Sequence, residues 1–150
     1  MPKVTRTRLI DAPRNRIWDL IADPHHLPRW WPKAVRVEDV RNVKGGQRSR
    51  WTTVLGTQRG RGVRADFRCS GATVGERYVW EQEIEGTPFE KILRFAELEI
   101  RLEGQDGSTV VTLASSEGLR GLSRLGSPMM RRATRQRLDE ALTGIERALT

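Results

Sequence analysis

The residues best suited to hold a small molecule are aromatic. Trp30, Trp31, Trp51, Phe67, Tyr78 and Trp80 include four of the five tryptophans of a 150-residue chain. In a pocket, tryptophan supplies a large flat contact surface and one N–H for orientation; the same residues also serve to plug a core. Trp30 and Trp31 are adjacent and so face different ways, and Trp31 is the one assigned to a pocket. Arg94 carries a sharper signal. Alternation over Lys91–Glu103 puts it on one face with Ile92, Ala96, Leu98, Ile100 and Leu102, where a charge must be paired or solvated. In an apolar pocket it would anchor a carboxylate or enolate; a β-bulge near Phe95, or a strand end in water, would turn it outward. Gln82, on the face of Tyr78 and Trp80, is a polar partner on similar terms. Met129 and Met130 suit adaptable ligand contact, although in most helices methionine is core. The expected ligand-binding set is therefore Trp31, Trp51, Phe67, Tyr78, Trp80, Gln82, Arg94, Met129 and Met130.

Other chemistry finds little support. His25 and His26 lie beside a helix start with no third ligand at metal spacing, so no metal is expected. Cys69, the sole cysteine, falls on an apolar face and reads as an inert buried thiol. Glu81, Glu83 and Glu85 point one way on a strand, as a solvated face does. The run Gly56–Gly62, GTQRGRG, is a basic turn with only a faint likeness to an RGG-type nucleic-acid box. HExxH, GxSxG, the P-loop and the dinucleotide fingerprint are absent. No catalytic set is assignable and no cofactor is expected.

These residues must be positioned by a strand–helix–strand series. Val4–Ile10 is β-prone and ends at Asp11-Ala12-Pro13, where Pro13 opens a helix with Ile17, Trp18, Leu20 and Ile21 on its apolar side. Asp23 caps and Pro24 begins a second short helix or turn, which Pro32 stops. Strands follow at Ala34–Asn42, Arg48–Leu55, Val63–Cys69, Arg77–Glu85, Lys91–Glu103 and Thr109–Ser115, separated by turns such as Lys44–Gln47 and Gln105–Ser108. The chain closes on one long helix, Ser127–Thr150, with Ser127 as cap and an apolar face from Met130 to Leu149. Leu and Ile fill its second half, whereas Met and small residues fill its first. No repeat or second domain is found, so residues 1–150 form a single domain. One-sided strands plus one amphipathic helix make an α+β pair of layers, with the sheet curling round the helix. A strongly curved sheet cannot touch the helix along its whole length. A cavity is expected where helix side chains are small or flexible, with Leu138–Leu149 as the tight seam and Pro128–Thr134 as a lid edge beside Gly118, Gly121 and Gly126.

The chain carries a formal net charge of +8, spread unevenly: residues 1–75 hold 16 Lys/Arg against 6 Asp/Glu, and residues 76–118 hold 4 against 10. Such a balance could attract nucleic acid, an anionic membrane or an acidic partner. The basic residues, 23 of 27 of them Arg, are dispersed rather than run together, which favours a solvated basic surface. No apolar run of about 18 residues exists, so no transmembrane helix is expected. The N-terminus lacks a secretory signal, and one cysteine permits no internal disulfide; both fit a cytoplasmic protein.

The stretches Ile10-Asp11-Ala12-Pro13, Ile17–Pro24 and Leu27-Pro28-Arg29-Trp30-Trp31-Pro32, the strand with Arg77-Tyr78-Val79-Trp80, the strand Gly107–Leu113 and the closing helix together resemble the polyketide cyclase/dehydrase-like branch of the START/Bet v 1-like (SRPBCC) superfamily. The match spans essentially the whole chain. The resemblance implies a helix-grip fold: a curved antiparallel sheet of about six to seven strands wrapped around a long C-terminal helix, with two short helices after the first strand and a hydrophobic cavity between sheet and helix. It implies a lipid, sterol, quinone or polyketide-like ligand. Three readings follow. The first is a binder, without a required activity, of a hydrophobic small molecule. The second is an aromatase/cyclase-type enzyme in which Arg94, Gln82 or Tyr78 would orient a poly-ketone and stabilise enolate charge. The third is an RNA- or ribosome-associated protein that uses the basic surface. The binder ranks first because it needs only the fold.

Overall fold

A computed structural model describes residues 3–41, 48–57, 62–121 and 127–150, with Ser127 by its backbone alone. Strand β1 (Lys3–Ile10) is followed by helix α1 (Arg14–Ile21), a 3-10 turn at Pro24–His26 and the single-turn helix α2 (Leu27–Trp30). The strands β2 (Ala34–Arg41), β3 (Arg50–Leu55), β4 (Val63–Thr73), β5 (Arg77–Glu83), β6 (Leu93–Gln105) and β7 (Ser108–Leu119) come next, with a second 3-10 turn at Pro88–Lys91. Helix α3 (Ser127–Ala148) closes the chain. All seven strands form one antiparallel sheet in the order β1-β7-β6-β5-β4-β3-β2. The expected α+β helix-grip arrangement is the one observed. Among the described residues no helix is long and apolar enough to cross a membrane.

Local chemistry accounts for the corner between the two sheet edges. Asp23 accepts hydrogen bonds from the His25 backbone N–H at 3.0 Å and from its ring Nδ1 at 2.9 Å, a cap on the Pro24 turn. His26 is held through its Nδ1 to the Asp19 carbonyl at 3.0 Å. Both histidines thus build the corner. Thr109 donates from Oγ1 to the buried Ala12 carbonyl at 2.7 Å and ties β7 to the β1–α1 turn.

Helix α3 packs against β1, β7 and α2. Leu138, Ala141, Leu142 and Ile145 are fully enclosed, so the expected seam is where the helix meets the core, each large aliphatic side chain contributing about 1.5–3 kcal/mol. The edge strand β1 has buried Val4 and Ile10 on the same face as Arg6 and Arg8. The two arginines reach α3: Arg6 makes a two-pronged pair with Asp139 (2.8 and 3.0 Å), and Arg8 contacts Glu146 at 2.6 Å and Thr143 at 2.9 Å. Charges pointing inward from an edge strand also blunt its tendency to pair with another sheet.

The irregularity near Phe95, offered above as the alternative for Arg94, is the one observed, and two strands run longer than expected. Strand β6 begins at Leu93, and its pairing with β7 shifts between Leu93 and Phe95. This irregularity reverses the phase of the alternation, so Leu93 is buried while Ile92 and Arg94 are exposed. Gly118 accommodates the change, because a Cβ there would lie 2.4 Å from the Phe95 ring. In addition, β4 and β7 each run four residues past their expected ends at Cys69 and Ser115. The expected turn Lys44–Gln47, the middle of the Gly56–Gly62 turn, Gly126 and the Ser127 cap side chain lie outside the described residues.

Candidate ligand cavity

A cavity of about 410 Å³ opens between the sheet and α3. Its floor comes from β5, β6 and β7 through Trp80, Gln82, Ala96, Leu98, Ser115 and Glu117. Phe67 of β4 and Leu55 of β3 close one side with the Trp31-Pro32-Lys33 connection, and Ala133, Gln136, Arg137 and Glu140 of α3 form the roof. Alternation explains the floor: Trp80 and Gln82 are two apart on β5, while Leu98 lies opposite Ser115 and Ala96 opposite Glu117.

Trp80 is the hub of the aromatic wall. Its ring centroid lies 5.2 Å from Trp31 and 6.1 Å from Phe67, both edge-to-face, and 5.8 Å from Trp51. Trp51 stacks on Phe67 at 5.9 Å with 14° between planes and donates from Nε1 to Thr53 Oγ1 at 3.1 Å. Such offset and perpendicular pairs each add about 0.5–1.5 kcal/mol beyond their burial, which holds the wall in one geometry. Trp30 is buried and Trp31 faces the cavity, as adjacency requires.

The nine expected ligand residues therefore divide. Trp31, Phe67, Trp80 and Gln82 line the cavity. Trp51 and Tyr78 stand behind them in the core. The Tyr78 hydroxyl, close to Cys69 and Ser49, makes no hydrogen bond of good geometry, and burial pushes its phenol far above the ordinary range. Cys69 is buried, with its thiol also pushed up by desolvation. Arg94 sits exposed at the β6 irregularity, outside the lining. Met129 is 79% exposed, and Met130 lines a separate small crevice with Val4, Leu119 and Thr134. The cavity meets α3 at Ala133–Glu140, about one to three turns beyond the methionines.

Sequence reasoning passed over the polar roof. Arg137 donates from Nη2 to Glu117 Oε1 at 2.7 Å, joining α3 to β7, and Gln136 donates to Glu140 at 3.3 Å. Extending the alternation of Leu113 and Ser115 by one step would have placed Glu117 on the cavity face. Two buried donors of the lining, Gln82 Nε2 and Arg137 Nε, have no acceptor among the described residues. A buried donor without a partner costs about 1–3 kcal/mol, so an oxygen acceptor on a bound molecule would relieve the floor and the roof alike. The site thus offers an aromatic wall for a flat apolar body and a few polar groups for orientation, the usual division in a small-molecule pocket.

The whole chain, residues 1–150, matches the family model described as polyketide cyclase/dehydrase and lipid transport. The chain belongs to that family. No curated protein matches it. Among solved structures, TTHA0849 from Thermus thermophilus is similar with a TM-score of 0.77 at 20% identity, over 98% of this chain and 96% of that one. The di-domain ARO/CYC BexL from the BE-7585A biosynthetic pathway gives 0.78 at 20% identity, over 99% of this chain and 46% of that one, so this chain spans less than half of BexL. Ara h 8.0201 gives 0.75 at 14% identity, over 99% and 97%. At these identities the likeness is one of fold, the SRPBCC/Bet v 1-like fold of the family.

Proposed function

We propose that this member of the polyketide cyclase/dehydrase and lipid transport family binds a hydrophobic, aromatic or polyketide-like small molecule in the cavity between its sheet and α3. The observation that carries the reading is the aromatic wall: Trp31, Phe67 and Trp80 present ring surface to a space of about 410 Å³, large enough for a fused-ring molecule. Binding without turnover is favoured because, of the three groups nominated for enolate chemistry, only Gln82 lines that space. The second reading, an aromatase/cyclase-type enzyme, draws support from the Arg137–Glu117 pair and Gln82 facing the aromatic wall; loss of a poly-β-ketone substrate in the presence of the protein would favour it.

The test of binding uses phenylnaphthylamine, an uncharged aromatic probe, followed by its own emission and by quenching of Trp31 and Trp80. Saturable binding is expected. Ala133→Phe, which adds a ring to the roof, is expected to weaken it at least about tenfold, as a lost pocket volume of this kind would, with the thermal midpoint little changed. An unaltered affinity in a folded Ala133→Phe protein refutes the site.

A further inference from the structure

The cavity does not end at its mouth. A groove of about 940 Å³ runs between α2 and α3, and Trp31, Pro32, Lys33, Gln136 and Glu140 line both spaces. The groove is basic, and its charges are not equally engaged. Arg6 is paired with Asp139, and Arg29 donates to the Ala148 carbonyl at 3.1 Å. Lys33, Arg132 and Arg135 line the same groove with no carboxylate partner among the described residues. Six sheet arginines differ: Arg36, Arg50, Arg64, Arg68, Arg77 and Arg101 each contact a glutamate. Inside the cavity, Arg137 is neutralised by Glu117. Unpaired positive charge is therefore placed at the mouth and not at the apolar end. Glu140 is the carboxylate at the junction, and Gln136 holds it.

We propose that the ligand is an amphipathic anion, with a flat apolar body against Trp31, Phe67 and Trp80 and an anionic group held outside the mouth by Lys33, Arg132 and Arg135. This rests on the cavity reading and adds the charge of the ligand to it. Cations beside a low-dielectric wall attract an anion more strongly than the same cations in open water. A carboxylate, sulfonate or phosphate on the ligand would serve equally, since each presents oxygen acceptors to guanidinium and ammonium donors.

Two probes of nearly the same shape separate the claims: anilinonaphthalene sulfonate, which is anionic, and phenylnaphthylamine, the same aromatic body without the sulfonate. The sulfonate probe is expected to bind more tightly. Raising NaCl from about 0.05 to about 0.5 M should weaken only that probe. The double substitution Arg132→Gln/Arg135→Gln should cost it about fivefold, in keeping with two exposed charge contacts, and leave phenylnaphthylamine unchanged. Arg131→Gln, outside the groove, should change neither. Equal loss of both probes in the double variant, or no loss of either, overturns the anionic subsite while the cavity stands. If wild-type protein binds neither probe, the cavity reading falls and takes this one with it.

Discussion

Tyr78 shows how much of this molecule is decided by single side chains. It is enclosed to 1% exposure, with its ring 5.9 Å from Trp18 and 6.5 Å from Trp80, yet its hydroxyl has no well-formed hydrogen bond. Burial, with a smaller contribution from Cys69, keeps the phenol protonated well above its ordinary value. A raised acid pKa means that the folded state holds its proton more tightly than the unfolded chain. This contribution is complete below about pH 10, the unfolded phenol value, and is lost as pH rises above it. Tyr78→Phe should therefore change stability by less than about 1 kcal/mol at neutral pH, because it removes an unsatisfied group. Above about pH 10 it should make the protein more stable than wild type. Urea midpoints at the two pH values check both statements, and a cost above about 2 kcal/mol at neutral pH would mean that the hydroxyl is properly bonded. At this scale the aromatic wall was legible, because Tyr78, Trp80 and Gln82 keep a period of two. Arg94 was legible only as a choice: alternation put it on the apolar face, and the β-bulge near Phe95 that would turn it outward is the irregularity observed.

Helices α2 and α3 meet at a glycine whose role only the assembled elements disclose. Gly144 lies in the interior of α3, where glycine costs about 1 kcal/mol relative to alanine. A Cβ at that position would sit 2.3 Å from the Trp30 carbonyl oxygen and 2.8 Å from its Cα. The obstacle is backbone, so α2 itself would have to move, and with it the Trp31-Pro32-Lys33 wall of the cavity. Overpacking of this kind costs about 1–3 kcal/mol, which outweighs the gain in helix propensity. Gly144→Ala is expected to lower the thermal midpoint and weaken probe binding, and a raised midpoint would refute the close contact. The succession of strands along the chain and the seam of α3 could be read from alternation, turns and the Leu138–Ile145 spacing, since those signals are local. The cavity's position along α3 could not, because it depends on where the curved sheet leaves the helix, and that is fixed by α2 docking at Gly144.

At the scale of the whole molecule, the charge asymmetry of the sequence becomes pairing between neighbouring strands. The basic first half supplies Arg50 and Arg68, and the acidic middle supplies Glu83 and Glu81 opposite them; Arg36 and Arg64 share Glu38. Glu99 is gripped by Arg101 and Arg77, which holds its carboxyl below the usual range. Individually such exposed pairs contribute about 0–1 kcal/mol. Their larger consequence is that these six sheet arginines are already neutralised, so a polyanion would have to break protein pairs to use them. On α3, by contrast, Arg131, Arg132, Arg135 and Arg147 have no carboxylate partner among the described residues. If single-stranded RNA binds through α3, it should engage no more than these four. Each phosphate contact contributes about −0.7 to the slope of log affinity against log salt, so the slope should be no steeper than about −3. Anisotropy of a labelled oligouridine across a NaCl series measures it. A slope approaching −10 would require many cations beyond α3 and would restore the nucleic-acid reading over the cavity. A slope near zero would leave Arg132 and Arg135 to the anionic end of a small ligand.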